Sequence, residues 1–297
     1  MKKVIVVAGP TAVGKSDFAI EIAKRYGLEI ISGDSIQVYR GLDIGSGKVT
    51  EEETQGIKHH LIDILSPKES YSVSMFQSMA RELMDSSEKP MIICGGTGLY
   101  LKACLYDYTF ENEKEDAYDP ALDAYTNEQL YEMLKETDPM QAAKIHPNNR
   151  RRVMRSLTIQ KNTGKKQSDI EKEQKHELLY DAYIIGCTME REHLYARINK
   201  RVENMFSKGL EQEIKHLLDT GVCFEDTCME GISYKEWKDY FEGTCTSEEV
   251  MHCIQKHSRN FAKRQYTWFK NQMPVHWIDM EQEITIWDDL ETFLKGE

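Results

Sequence analysis

The segment Gly9-Pro10-Thr11-Ala12-Val13-Gly14-Lys15-Ser16 constrains this chain more than any other. It matches GxxxxGK[ST] and follows an apolar run over 4–8. It opens a stretch, 15–26, with Phe18, Ile22 and Tyr26 at helical spacing. A strand, a glycine-rich turn and a helix in that order form a phosphate loop. The glycines let the backbone curl so that successive N–H groups and a helix N-terminus face one anion. Lys15 adds a point charge, and Ser16 adds a hydroxyl suited to Mg²⁺. A chance glycine-rich turn is the competing reading, and the flanking strand and helix count against it. The motif specifies a di- or triphosphate ligand, as in nucleotide- and ATP-binding proteins, without naming the bond that breaks.

Further strand signals at 28–32, 60–65 and 91–94 alternate with helix signals. The latter are the capping-box pattern Thr50-x-x-Glu53, an amphipathic run over 72–84 and a helix from Leu99. Such alternation predicts an α/β fold with a P-loop NTPase-like parallel sheet covered by helices. Near Asp107 the chain becomes polar and helix-rich, with its clearest helices over 127–135 and 149–161. Strand-like hydrophobicity returns at 181–187. The remainder is helical over 191–208, 211–220, 233–241 and 247–270, with 275–278 as a last strand. We therefore expect a core of residues 1–113 and 186–297, interrupted by a helical insertion over 114–185.

Charge is segregated along this organisation. The net charge of −12 argues against a nonspecific nucleic-acid coat. Yet eleven acids stand between Asp107 and Ala143, opposed only by Lys114 and Lys135. From Pro139 to Ser168 there are eight Lys or Arg and no acid, and from Val250 to Ile278 five more and again none. Two acid-free basic tracts suit a polyanion if they fold onto one surface. No apolar run approaches the roughly 18–20 residues of a spanning helix, so no membrane role is expected. The seven cysteines form no CxxC pair, which indicates free thiols in a reducing cytoplasm and no zinc site.

Two features separate this chain from an ordinary nucleotide hydrolase. The strand at 91–94 runs into Gly95-Gly96, where an acidic residue usually follows. The strand at 28–32 ends near Asp34. A carboxylate beside a phosphate loop serves as a metal ligand, as a general base, or as a cap on a helix starting at Ser35.

Four blocks then carry a family resemblance. They are the phosphate loop, Asp34-Ser35-Ile36-Gln37-Val38-Tyr39-Arg40-Gly41-Leu42-Asp43-Ile44-Gly45-Ser46-Gly47-Lys48, His59-His60-Leu61-Ile62-Asp63, and Gly95-Gly96-Thr97-Gly98-Leu99-Tyr100. Further matches are His146-Pro147-Asn148-Asn149, Arg197-Ile198-Asn199-Lys200-Arg201-Val202 and Lys263-Arg264-Gln265-Tyr266-Thr267-Trp268-Phe269. Together, in order and over nearly the whole chain, they resemble the bacterial tRNA dimethylallyltransferases. The resemblance implies transfer of a dimethylallyl group from dimethylallyl diphosphate to N6 of adenosine 37, in the anticodon arm of tRNA. It also implies a monomer that uses Mg²⁺. The phosphate loop, Gly9 to Ser16, would hold the donor's diphosphate rather than ATP.

The same resemblance implies roles for single residues. Asp34 corresponds to the general base on the N6 amine, and Ser35, Ile36 and Gln37 to the segment lining the flipped base. Thr97 corresponds to a threonine near the bridging oxygen. Arg201 corresponds to an arginine on the diphosphate, with Arg197 one helical turn away as a rival for that role. Arg151, Arg152, Val153, Met154 and Arg155 correspond to a tRNA-contact segment, as do Lys263, Arg264 and Gln265. A solvated helix face is the plain alternative for both basic clusters. In the family's Gly-Tyr-Lys-Glu segment this chain has Ser233 in place of glycine, so a left-handed backbone position there would need another solution. Three rival functions are weighed: a small-molecule kinase, an adenylate isopentenyltransferase and a non-catalytic tRNA-binding protein. The first leaves the Asp34 and Gly95 blocks unexplained. The second needs no arginine-rich insertion. Intact Lys15, Ser16, Asp34 and Thr97 speak against the third.

Overall fold

The computed structural model describes residues 1–108, 110 and 119–296. It divides into two compact units, Met1–Leu105 with Leu178–Glu297, and Tyr106–Glu177.

In the first unit the chain runs β1 (Lys3–Ala8), α1 (Lys15–Tyr26), β2 (Ile30–Ser32), α2 (Glu51–Thr54), β3 (His59–His60), α3 (Val73–Ser86), β4 (Met91–Gly95) and α4 (Gly98–Leu105). The second unit holds α5 (Asn127–Thr137), α6 (Pro139–Ala142), α7 (Arg150–Thr163) and α8 (Gln167–Glu173). The first then resumes with β5 (Asp181–Thr188), α9 (Arg191–Ser207), α10 (Leu210–Asp219), α11 (Lys238–Phe241), α12 (Ser247–Gln272), β6 (His276–Asp279) and α13 (Trp287–Lys295).

The six strands form one sheet in the order β3-β2-β4-β1-β5-β6, and every pairing is parallel. A parallel sheet is covered on both faces, so its central strands must be apolar on both sides. β1 meets that demand, with Val4 to Ala8 all buried. Helix α1 covers it with Phe18, Ile22 and Ala23, and each side chain of the size of Phe18 or Ile22 contributes about 1.5–3 kcal/mol by leaving water. Glycines bound this helix at both ends, and Thr50 and Glu53 form the capping box expected for α2.

β3 is shorter than the 60–65 run suggests. Leu61 and Asp63 take φ of 61° and 55°, which no strand accommodates, so pairing stops at His60. Because β4 lies between β1 and β2 and all three are parallel, their C-terminal ends stand in a row at one end of the sheet. The loops leaving all three strands therefore open on one edge of the sheet, where ligands of such folds bind. Gly33 N–H donates to Cys94 O at 2.8 Å and ties two of these loops together.

The second unit has its own core of Leu122, Leu130, Leu134, Ala142, Ile145, Val153, Met154 and Leu157. Leu130 and Leu134 share one face of α5, which packs on α6 and α7. Thr126 and Gln129 cap α5 reciprocally. Asp138 is buried. Burial pushes its carboxyl up, but N–H donors of Ser168 and Gln141 outweigh that and hold it below its usual value. Beside the expected insertion over 114–185, the second unit spans Tyr106–Glu177. The 113/114 edge lies outside the described residues. At the other end Asp181 already pairs with Lys3, so 181–185 belong to the sheet, and their apolar pattern is that of a strand.

Candidate active site

The first of the three strand-end loops is the phosphate loop. It leaves β1 at Gly9 and enters α1 at Lys15, as the motif requires. Lys15 is half-buried and its ammonium donates to Pro10 O. Ser16 is exposed in the first turn of α1. The second loop follows β2. Asp34 Oδ1 accepts from the N–H groups of Ile36 (2.8 Å) and Gln37 (3.2 Å), so the carboxylate also caps its own turn. Gln37 braces this turn, accepting from Ser32 Oγ and donating to Gly47 O, both at 3.3 Å. The third loop follows β4. Thr97 O accepts from Tyr100 and Leu101 N–H at the start of α4. The Thr97 hydroxyl makes no hydrogen bond among the described residues.

Helix α9 brings Arg201 onto these loops. Its guanidinium donates to Thr11 Oγ1 at 3.4 Å and to Ser46 O at 3.2 Å. Gly47 makes room for it: at φ +59°, a Cβ there would stand 1.9 Å from Nη2. Arg197, one turn earlier on the same face, is exposed, and its Nη2 lies 3.8 Å from where a Cβ on Gly14 would be. Arg201 is thus hydrogen-bonded to the phosphate loop at Thr11, while Arg197 stands exposed near Gly14, where that loop enters α1.

Electrostatics at this edge favour an anion. Burial pushes the Lys15 ammonium down; Arg201 adds to that and the Asp34 carboxylate opposes it. Burial also lowers Arg201, against Asp34 and Glu53. The flanking thiols are neutral, because burial raises Cys94 to about 11 and Cys187 to about 12. Two desolvated cations with so little acid beside them are stabilised by a multiply charged guest. Among the described residues no three His, Cys, Asp or Glu gather as a metal cage. A divalent cation would therefore rest on the Ser16 hydroxyl and on oxygens of the guest, which suits Mg²⁺.

The loop over 43–48 is held from α10. Glu213 accepts from the N–H groups of Asp43 (2.9 Å), Ile44 (2.6 Å) and Gly45 (3.0 Å), and from Tyr234 Oη (2.9 Å). Tyr234 is fully buried, and its oxygen accepts in turn from Ser46 N–H at 3.0 Å. This loop carries the Ser46 carbonyl that seats Arg201 and the Gly47 carbonyl that Gln37 grips. Ser233, where the resembling family has glycine, does take the left-handed conformation, with φ +85°. Its N–H donates to Glu236 Oε2 at 2.9 Å, which holds the strained turn closed.

The residues assigned to tRNA contact divide into two kinds. Ser35, Ile36 and Gln37 lie half-buried beside Asp34. In the second unit Arg151, Arg152 and Arg155 are exposed, whereas Val153 and Met154 are core residues. A contiguous five-residue stretch of a helix must turn some of its members inward. Arg150 is also drawn inward, donating to the carbonyls of Leu122, Asp123 and Tyr125. On α12, Lys263 and Arg264 are exposed beside a groove of about 510 Å³ that Asn260, Thr267, Trp268 and Asn271 also line. Gln265 is not on that surface. It is buried, its Oε1 accepts from Thr11 N–H at 3.0 Å, and its Nε2 donates to Gly96 O at 2.9 Å. Trp268 lies half-buried against Gly98. Glu213 was invisible in the sequence, as one acid among many on an amphipathic helix. Tyr234 had only its place beside Ser233 to mark it.

Comparisons with known proteins place the whole chain among named relatives. The family model described as IPP transferase matches residues 37–272. A curated relative from Anoxybacillus flavithermus, named tRNA dimethylallyltransferase, is 49% identical over 95% of this chain and 92% of its own length. One of the same name from Bacillus subtilis is 46% identical over 93% and 90%. A solved tRNA delta(2)-isopentenylpyrophosphate transferase from Staphylococcus epidermidis is similar with a TM-score of 0.73 and 41% identity, covering 100% of this chain and 99% of that one. A eukaryotic dimethylallyltransferase, described as acting on tRNA, is similar with a TM-score of 0.83 and 30% identity, covering 98% and 78%.

Proposed function

This chain belongs to the IPP transferase family, and from that premise we propose that it transfers the dimethylallyl group of dimethylallyl diphosphate to N6 of adenosine 37 in tRNA, releasing diphosphate. The observation that carries this reading is the pairing of Asp34 with an anion site. One strand-end loop bears a carboxylate, and the adjoining ones bear Lys15, Thr97 and the Arg201 seat.

In the reaction the N6 nitrogen forms a bond to the first carbon of the dimethylallyl group, and the bond from that carbon to the diphosphate oxygen breaks. An exocyclic amine is a poor nucleophile. Asp34 orients it and accepts its proton, and Oδ1 is already fixed by two N–H donors. Charge develops on the departing oxygen. The phosphate-loop N–H groups, Lys15, Arg201 and the Thr97 hydroxyl stabilise that charge. Mg²⁺, held by Ser16 and diphosphate oxygens, would neutralise part of the same charge.

The target adenine must leave its stack to reach Asp34, and single-stranded loops allow that. Ser35, Ile36 and Gln37 would line the flipped base. Arg151, Arg152 and Arg155 in one unit, and Lys263 and Arg264 in the other, would contact the phosphates of the anticodon arm. Phosphate contact needs exposed cations, so Val153, Met154 and Gln265 are left out of this set. The setting is the cytoplasm, where tRNA and free thiols coexist.

The test is to incubate the protein with labelled dimethylallyl diphosphate and either unmodified tRNA or AMP. Label in tRNA, at N6 of adenosine 37, is the expected result. Label in AMP, or tRNA-stimulated ATP hydrolysis without prenyl product, would overturn the reading.

A further inference from the structure

We propose that Gln265 is a positioning residue that locks the phosphate loop to the 95–98 loop, so that both grip one diphosphate at a fixed separation. The proposal rests on the donor-site reading above.

Gln265 is 6% exposed, although its neighbours Lys263 and Arg264 on α12 face solvent. Its single amide uses both ends, accepting from Thr11 N–H and donating to Gly96 O. A carboxamide has a donor and an acceptor on one planar group, and neither a carboxylate nor an ammonium can serve both partners. The bridge requires close approach at Gly96, where a Cβ would stand 2.2 Å from Nε2. The depth of α12 is set next door: Tyr266 Oη bonds Thr188 Oγ1 at 2.7 Å and accepts from Met189 N–H at 3.2 Å, at the end of β5.

Thr11 is therefore held twice, at its N–H by Gln265 and at its hydroxyl by Arg201. Gly96 is the residue before Thr97. The β1–β4 ladder places Ala8 beside Gly95, and beyond it the Gln265 bridge fixes the phosphate-loop N–H groups relative to the Thr97 hydroxyl. A misplacement of about 1 Å in such a site costs on the order of 10²-fold in rate.

The experiment measures binding of inorganic diphosphate and of tRNA to the full chain, with steady-state kinetics, for the wild type, Gln265→Leu, Gly96→Ala and the double variant. Each single variant should weaken diphosphate binding about tenfold and raise the KM for dimethylallyl diphosphate. Each should leave the tRNA dissociation constant within about twofold. The double variant should be no worse than the worse single one, since both break the same bridge. Should Gln265→Leu fail to fold, Gln265→Glu, which keeps the acceptor for Thr11 N–H and loses the donor to Gly96 O, carries the same readout. Unchanged diphosphate affinity overturns the proposal, and if tRNA binding is weakened alongside, Gln265 is an RNA contact instead. A wild-type chain that binds no diphosphate would refute the donor-site reading itself.

Discussion

Replacing Glu213 with glutamine tests whether a remote carboxylate sets the seat of Arg201. The carboxylate's two oxygens meet only donors: Oε2 accepts from Asp43 and Ile44 N–H, and Oε1 from Gly45 N–H and Tyr234 Oη. An amide nitrogen at the Oε2 position would confront two backbone N–H groups with no alternative partner. At the Oε1 position it meets a tyrosine hydroxyl that can turn to accept, at the loss of that hydroxyl's own acceptor, and Gly45 N–H is the one backbone donor orphaned. The second orientation is the cheaper. It costs about 1–3 kcal/mol for the orphaned donor and about 1 kcal/mol more because the surviving bonds lose their charge. For a chain of this size, a total of about 2–4 kcal/mol lowers the melting temperature by roughly 3–6 °C. The 43–48 loop would loosen, and with it the Ser46 carbonyl that holds Arg201. Thermal unfolding should show the drop, and calorimetry with diphosphate should show weaker binding. Tyr234→Phe should reproduce both effects at about half the size. A Glu213→Gln protein that melts within about 2 °C of the wild type and binds diphosphate equally well would refute the reasoning.

Asp34→Asn should slow single-turnover prenyl transfer by about 10²–10⁴ while leaving tRNA affinity within a few-fold, and near-normal rates would remove Asp34 from the base role. Ser233→Gly should stabilise the protein by about 0.5–1 kcal/mol in urea unfolding. Relief of a left-handed serine is worth about 1–2 kcal/mol, and the added chain entropy of glycine offsets about half of it. A destabilised Ser233→Gly protein would mean that the serine hydroxyl contributes more than the strain costs. Converting Arg151, Arg152 and Arg155 together to glutamine should raise the tRNA dissociation constant and flatten its logarithmic salt dependence by about two units. An unchanged slope would make that helix face merely solvated.

Local pattern made much of the fold legible. The run at 4–8, the glycines of the phosphate loop and the phase of Phe18 and Ile22 identified β1, the turn and α1 within a residue. These signals lie within one or two turns of chain. The same holds for Thr50 and Glu53, whose capping box is a contact between residues three apart. The 60–65 run misled because hydrophobic alternation does not report φ, and Leu61 and Asp63 sit in the left-handed region. The edge of the second unit was blurred because 181–185 reads as strand without revealing whose sheet it joins.

The candidate site was legible where a short motif carries its own chemistry, as with Lys15 and the carboxylate of Asp34, while Thr97 stood out only by family resemblance. It was not legible where a helix brings in one side chain from far along the sequence. Gln265 stands beside Lys263 and Arg264 and reads as part of a basic patch, but a helix turns neighbouring residues to different faces. Only the packing of α12 decided that two of the three look outward and one bridges the strand-end loops. Glu213 and Tyr234 gave even less warning, since an acid and an aromatic on helical segments are common everywhere. By itself the sequence determined the parallel sheet, the anion loop and the carboxylate near it, because backbone preference and side-chain period act over a few residues. The tertiary structure alone decided which arginine of α9 is seated, which glutamine becomes a tie and which loop a distant glutamate holds. Those outcomes depend on distances between segments that residue spacing does not encode.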